Sequence, residues 1–185
     1  DLTGAALGLS TWATTAYGQQ NNCAVSFDTW MRNIDWSPDG TWFAVVTTGA
    51  WGGGTSTCDS AARFEFNENG TNVPTWVTQT GGDSLFSVAI TGTAVYIGGH
   101  LRWVNNPLAP NRAGPGAVSR IGLAALDPRN GMPLPWNPTR DRGVGVFDMM
   151  ATDVGLWIAH DTNIVAHLTR ERVAFFPLAG SGRAI

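Results

Sequence analysis

The sequence predicts an all-β fold of β-propeller blades, each of four antiparallel strands, with about three and a half blades in 185 residues. Three observations lead there. The 23 Gly and 10 Pro residues interrupt nearly every window long enough to show helical periodicity. Short runs rich in Val, Ile, Phe and Trp recur instead, several of them apolar on both alternating faces, as a sheet covered on both sides requires. The chain also resembles itself at a period near sixty residues, the mark of a repeat architecture.

The predicted strands are "WFAVVTT" at 42, "LFSVAIT" at 85, "AVYI" at 94, "IGLAAL" at 121, "LWIA" at 156 and "VAFF" at 173. Around them two elements repeat. "DLTGAALGLSTWA" (1–13), "FNENGTNVPTWVT" (66–78) and "LDPRNGMPLPWNP" (126–138) each join a polar turn to a tryptophan, and Trp12, Trp76 and Trp136 are spaced by 64 and then 60 residues. Tryptophans recurring with the unit are packing residues. "IDWSPDGTWFAVV" (34–46), "VAITGTAVYIGG" (88–99) and "MMATDVGLWIAH" (149–160) are each strand, tight turn, strand. Blades therefore fall at 28–78, 85–138 and 146–178, and 1–13 is the outer hairpin of another. A β-sandwich is the competing architecture, but it leaves the period unexplained. Three and a half blades do not close a ring that takes four to eight. The sequence thus predicts a partial propeller over 1–185, completed by the rest of a longer polypeptide or by another chain.

Only 14% of residues are charged, the net charge is −3, and all eleven cations are Arg. No basic footprint for nucleic acid exists, and no Lys is present to form a Schiff base. No apolar run is long enough to span a membrane. Cys23 and Cys58, if paired, close a 35-residue span, a cross-link contributing about 4 kcal/mol through loop entropy. Pairing would indicate a secreted or cell-surface protein; two separate buried thiols are the alternative.

Blade connectivity sends the short turns to one face of the disc: "SPDG" at 37, "TGT" at 91, "TDVG" at 152, "NENGT" at 67, "DPRNG" at 127 and "TRER" at 169. The long connections go to the other: 14–27, 48–58, 99–119, 137–145 and 159–163. Long loops on a rigid scaffold are where binding residues gather. The ligand-binding candidates on this face are Trp51, His100, Arg102, Trp103, Asn105, His160 and Asp161. Flat rings beside amides and a guanidinium suit a sugar; rings wedged between blades are the structural alternative. His100 and His160 occupy matching places, but no third ligand stands at metal-binding spacing, so loop hydrogen bonding is the expectation and neither metal nor cofactor is predicted. Asp28, Arg32 and Asp35 surround an innermost strand, where a structural ion pair is expected. "TRDRG" at 139 reads equally as an anion contact or a solvated loop. "NGT" at 69 matches a glycosylation sequon. No nucleophile elbow, phosphate loop or zinc helix is present.

"FDTWMRNIDWSPDGTWFAVVTTGAWGGG", "AVYIGGHLRWVNNP", "AGPGAVSRIGLAALDPRNGMPLPWNP" and "RVAFFPL" resemble secreted bacterial β-propeller proteins with sixty-residue, kelch- or WD-like repeats, over residues 20 to 178. The resemblance implies export and a longer parent chain, and it brings no catalytic residues. The function expected is a non-catalytic binding module of an exported protein, recognising carbohydrate or another cell-surface component through its long-loop face. A glycan-active hydrolase or lyase, drawing on Asp28, His100, His160 or Asp161, is the first alternative; a structural or assembly subunit is the second.

Overall fold

The computed structural model describes residues 8–18, 22–66, 70–108 and 111–177. The described residues contain sixteen strands and no helix. In chain order these are β1 (Ala13–Thr14), β2 (Met31–Trp36), β3 (Trp42–Thr47), β4 (Ser60–Glu65), β5 (Thr71–Asn72), β6 (Trp76–Gln79), β7 (Leu85–Ile90) and β8 (Val95–Gly99). There follow β9 (Trp103–Val104), β10 (Val118–Ser119), β11 (Leu123–Leu126), β12 (Val146–Thr152), β13 (Gly155–His160), β14 (Ile164–Val165), β15 (Leu168–Thr169) and β16 (Val173–Pro177).

Three antiparallel sheets carry the fold, in the orders β2-β3-β4-β6, β7-β8-β11 and β12-β13-β16, and none closes on itself. Each begins with a hairpin whose turn is built from local chemistry. In the first, the Ser37 hydroxyl donates to Asp39, the Gly40 N–H donates to the Ser37 carbonyl, and Gly40 takes a φ of 70° that favours glycine.

Among the described residues only the first sheet pairs four strands. In the second, the stretch expected to be the fourth strand carries Pro133 and Pro135, which lack the N–H a ladder needs, and only the bridge Leu126–Pro133 forms. In the third, β16 pairs directly with β13, so "VAFF" is the third strand of its sheet. That corrects one loop assignment. "TRER" at 169–172, expected among the short turns, precedes β16 and follows the β14–β15 hairpin on the long-loop end. Of the expected 1–13 hairpin, residues 1–7 lie outside the described residues, as do 67–69, among them Asn69 of the sequon; Ala13–Thr14 pairs in parallel with Thr71–Asn72.

The sheets stack face on face, and register shows their correspondence. One face of the first sheet presents Ile34, Trp36, Phe43, Val45 and Phe64. The same rungs hold Val88, Ile90, Val95, Ile97 and Leu126 in the second sheet. In the third they hold Met149, Ala151, Leu156, Ile158 and Phe176. We call this the front face. The front of the second sheet is buried against Trp42, Ala44, Val46 and Ala61 on the back of the first. The front of the third is buried against Ala89, Tyr96 and Ala125 on the back of the second. Each aliphatic side chain so buried contributes about 1.5–3 kcal/mol. Between sheets, contact runs chiefly through the first strands, β2 against β7 and β7 against β12. There the Asp35 carboxylate on β2 accepts the Ile90 N–H at the edge of β7, at 2.7 Å.

The repeating tryptophans serve as seam fillers. Trp136 meets Tyr96 on one sheet and Phe176 on the next, edge to face at 5.1 and 5.2 Å. Trp76 is buried between the first and second sheets and donates to the Pro128 carbonyl. Trp12 stands on Phe43 and Phe64 at the front of the first sheet.

Candidate functional site

Strand register sets one end of the molecule apart. Met31 pairs with Thr47, Ser60 with Gln79, Leu85 with Gly99 and Val146 with His160, so the loops beyond these rungs all leave from the same end of their sheets. Hydrogen bonds then join those loops across sheets.

Asp83 is the centre of this network. The turn at 80–84 is tight because Gly81 and Gly82 take φ of 78° and 105°. It presents an Asp83 carboxylate that is 3% exposed. Arg102 grips it with Nε and Nη2, each at 2.8 Å, and with its backbone N–H at 3.0 Å. Arg142 adds a contact at 3.1 Å and also donates to the His100 carbonyl. A buried carboxylate demands such compensation, and a two-pronged guanidinium supplies it with fixed geometry. One acid thereby ties together the loops after β6, after β8 and before β12. The Arg102 guanidinium also lies over the Trp103 ring, 4.5 Å from its centroid.

A second centre is Asp161, which accepts the backbone N–H groups of Val144 and Gly145 and a contact from Arg140. Burial pushes its pKa up, but those hydrogen bonds and the Arg140 charge outweigh it and hold the carboxyl below its usual range. His100 Nδ1 lies 3.0 Å from the Val144 carbonyl, which fixes its proton on Nδ1. His160 is buried, and its Nδ1 accepts from the Thr162 N–H, leaving the proton on Nε2. Burial, then the nearby Arg140 charge, depresses the His160 pKa, so the ring is neutral at pH 7.

The long excursion after β8 is organised around Asn106, which is fully buried. Its amide donates to the carbonyls of Thr80 and Arg112 and accepts the Gly114 N–H. Asn105, at φ 52°, donates to the Gly116 carbonyl. With the β9–β10 ladder, these bonds give the loop a fixed shape. On the neighbouring loop the Cys23–Cys58 disulfide is present, and the Ala24 N–H donates to the Ala50 carbonyl, holding the stretch that carries Trp51. Trp51 is half-buried beside Gly82.

All seven candidates from the sequence therefore leave from this end. The structure joins His100 and Arg102 through Asp83 and Arg142, and His100 with Asp161 through Val144. His100 and His160 keep separate partners, and among the described residues no three metal-binding side chains gather. Asp28 and Arg32 form no ion pair among the described residues; Asp35 caps the edge of β7 instead.

Sequence reasoning missed Asp83, Arg142 as its partner, and a stacked row. Each first strand has an irregularity at the same rung, between Met31 and Asn33, Leu85 and Ser87, and Val146 and Asp148. The displaced residues are Arg32, Phe86 and Phe147. Arg32 lies 5.5 Å over the Phe86 ring, and Phe86 stacks on Phe147 at 5.7 Å with planes 13° apart. Bulges re-aim side chains in this way.

Comparison of the chain with protein-family models, with curated proteins and with solved structures finds no match.

At this end Asp83, Asp161, Arg102, Arg140 and Arg142 are engaged with one another or with loop backbone, whereas the rings remain partly open: Trp103 and Phe86 half-buried, Trp30 and Phe147 exposed. Such a surface suits adhesion of a ligand face to aromatic plates beside guanidinium groups.

Proposed function

We propose that the three sheets are consecutive blades of a β-propeller and that the chain is a non-catalytic binding module of an exported protein, recognising carbohydrate through its long-loop end. The observation that carries the reading is the combination of Arg102 stacked on Trp103 with the row Arg32, Phe86, Phe147, beside two acids, Asp83 and Asp161, that are already tied to other loops. Sugar C–H faces stack on rings while guanidinium and amide groups meet the hydroxyls. Support for the blade arrangement comes from the rung-by-rung correspondence of the three front faces and from contact through the first strands. Support for export comes from the buried Cys23–Cys58 disulfide, which persists in oxidising surroundings.

The test is a glycan array followed by titration calorimetry on the best ligand. Trp103→Ala and Phe147→Ala should each weaken binding by about tenfold, the upper end of what one stacked ring provides, with unchanged thermal unfolding. Turnover of a bound glycan that disappears in Asp161→Asn, or the absence of any glycan bound by the native chain, would overturn the proposal.

A further inference from the structure

The two interior seams show what covers a front face in this protein: the back face of the preceding sheet, with a tryptophan from that sheet's outer stretch inserted at the rim. Trp136 is that residue for the third sheet, edge on to Phe176. Trp12 stands in the same relation to the first sheet, edge on to Phe64, the rung-equivalent of Phe176. Among the described residues no further sheet lies in front of it. The front of the first sheet accordingly leaves Ile34 52% and Trp36 42% exposed, where their equivalents Val88 and Ile90 are 2% and 4% exposed. A cavity of about 380 Å³ opens over this face, lined among others by Trp12, Tyr17, Ile34, Trp36 and Phe43.

The opposite end of the stack has the complementary deficit. The back of the third sheet exposes Met150, Trp157 and Val173, on rungs that in the second sheet hold the buried Ala89, Tyr96 and Leu123. Along the outer edge of β16 no further strand pairs among the described residues, and a groove of about 450 Å³ runs there between Trp136 and Phe175. The described chain thus holds one uncovered front face, one uncovered back face, an outer stretch without a sheet and a sheet without an outer stretch.

We infer that a second copy of this chain satisfies all four, by head-to-tail pairing. The back of one copy's third sheet covers the front of the other's first sheet, and the stretch around Trp12 lies along the partner's β16. The same contact occurs twice around a two-fold axis, which closes the pair as a six-sheet ring, within the four to eight that such rings take. The inference rests on the blade reading proposed above, and it uses the packing already present at both interior seams. The faces are apolar apart from Asp148, which stands on the first strand of the third sheet one rung from Met150, and an apolar centre is what a lasting interface requires.

Sedimentation of the 185-residue chain at micromolar concentration should give roughly 39 kDa, twice the 19.7 kDa of one chain. Ile34→Glu and Met150→Glu, each at an exposed position, should separately dissociate the pair by about a hundredfold in Kd, since each buries a charge in an apolar contact. Mixed together they should recover a one-to-one pair, because one intact front still meets one intact back. Unchanged near-ultraviolet dichroism in both variants verifies that they fold. A monomeric native chain, an open-ended oligomer, or a pair that survives both substitutions would overturn the inference. Glycan binding by a monomer would leave the binding proposal standing and remove this one; a pair that binds no glycan would do the reverse.

Discussion

Asp59 is a carboxyl with almost no access to water, 1% exposed, and the Ser84 hydroxyl donates to it at 3.0 Å. Its Oδ2 is buried without a hydrogen bond. Burial, with the nearby Asp83 charge, pushes its pKa up to about 6 from 3.8. Between those values the folded chain keeps a proton that the unfolded chain has released, so stability falls as pH rises through about 4 to 6, by up to roughly 3 kcal/mol. Asp59→Asn should abolish this slope. Asn tolerates the residue's φ of 49° and carries no charge to desolvate. Urea unfolding should show the variant more stable than the parent by about 2 kcal/mol at pH 7.5 and nearly equal to it at pH 4.5. Equal stabilities at both pH values would remove the account. Nothing in the local sequence "STCDSAA" marks Asp59 as buried; that follows from the strand pairing at Ser60 and from the neighbouring turn.

At the scale of elements, the seam between the second and third sheets depends on a missing side chain. A Cβ on Gly98 of β8 would meet Met149 Cε at 2.4 Å, Ser87 Oγ at 2.7 Å and Val146 Cβ at 2.8 Å. Gly98→Ala should therefore cost about 1–3 kcal/mol by overpacking, measured as a lower urea midpoint with an unchanged slope. Full retention of stability would mean that the seam is slack. The strands themselves were legible: apolar runs at 42, 85, 94, 121, 156 and 173 became β3, β7, β8, β11, β13 and β16. Their order within sheets was less so. A Pro-rich stretch at 133–136 reads as part of the repeat but lacks the donors to pair fully, and "VAFF" looks terminal although its ladder partner is β13. The bulges that re-aim Arg32, Phe86 and Phe147 leave no trace in alternation, because an extra residue in one strand is visible only against its partner.

Over the whole molecule, the period near sixty residues placed the loops after β3, β6, β8 and β13 at one end, as register has them, but put 169–172 at the wrong one. It could not foretell the centres that tie them. Asp83 reaches Arg102 and Arg142 across 19 and 59 residues, a distance at which single-residue chemistry carries no signal. The disulfide binds the approach to the first sheet to the loop after β3, across 35 residues. Cys23→Ser with Cys58→Ser should lower stability by about 4 kcal/mol in the loop-entropy account, and hydrogen exchange should quicken in 48–58 before the sheets. An unaltered unfolding midpoint would show that the reduced chain already holds those loops together.

The contact between Asp35 and the Ile90 N–H has a consequence for how the molecule behaves among its own kind. The first strand of a sheet is an edge, and an open edge amide recruits foreign chains into extended aggregates. A carboxylate reaching over from the adjoining sheet occupies that amide and sets a negative charge beside it. At Ile90 on β7 the inner rim is in this way closed to templated growth, and in a single copy the outer rim at β16 is the place where a stray strand finds donors and acceptors to match.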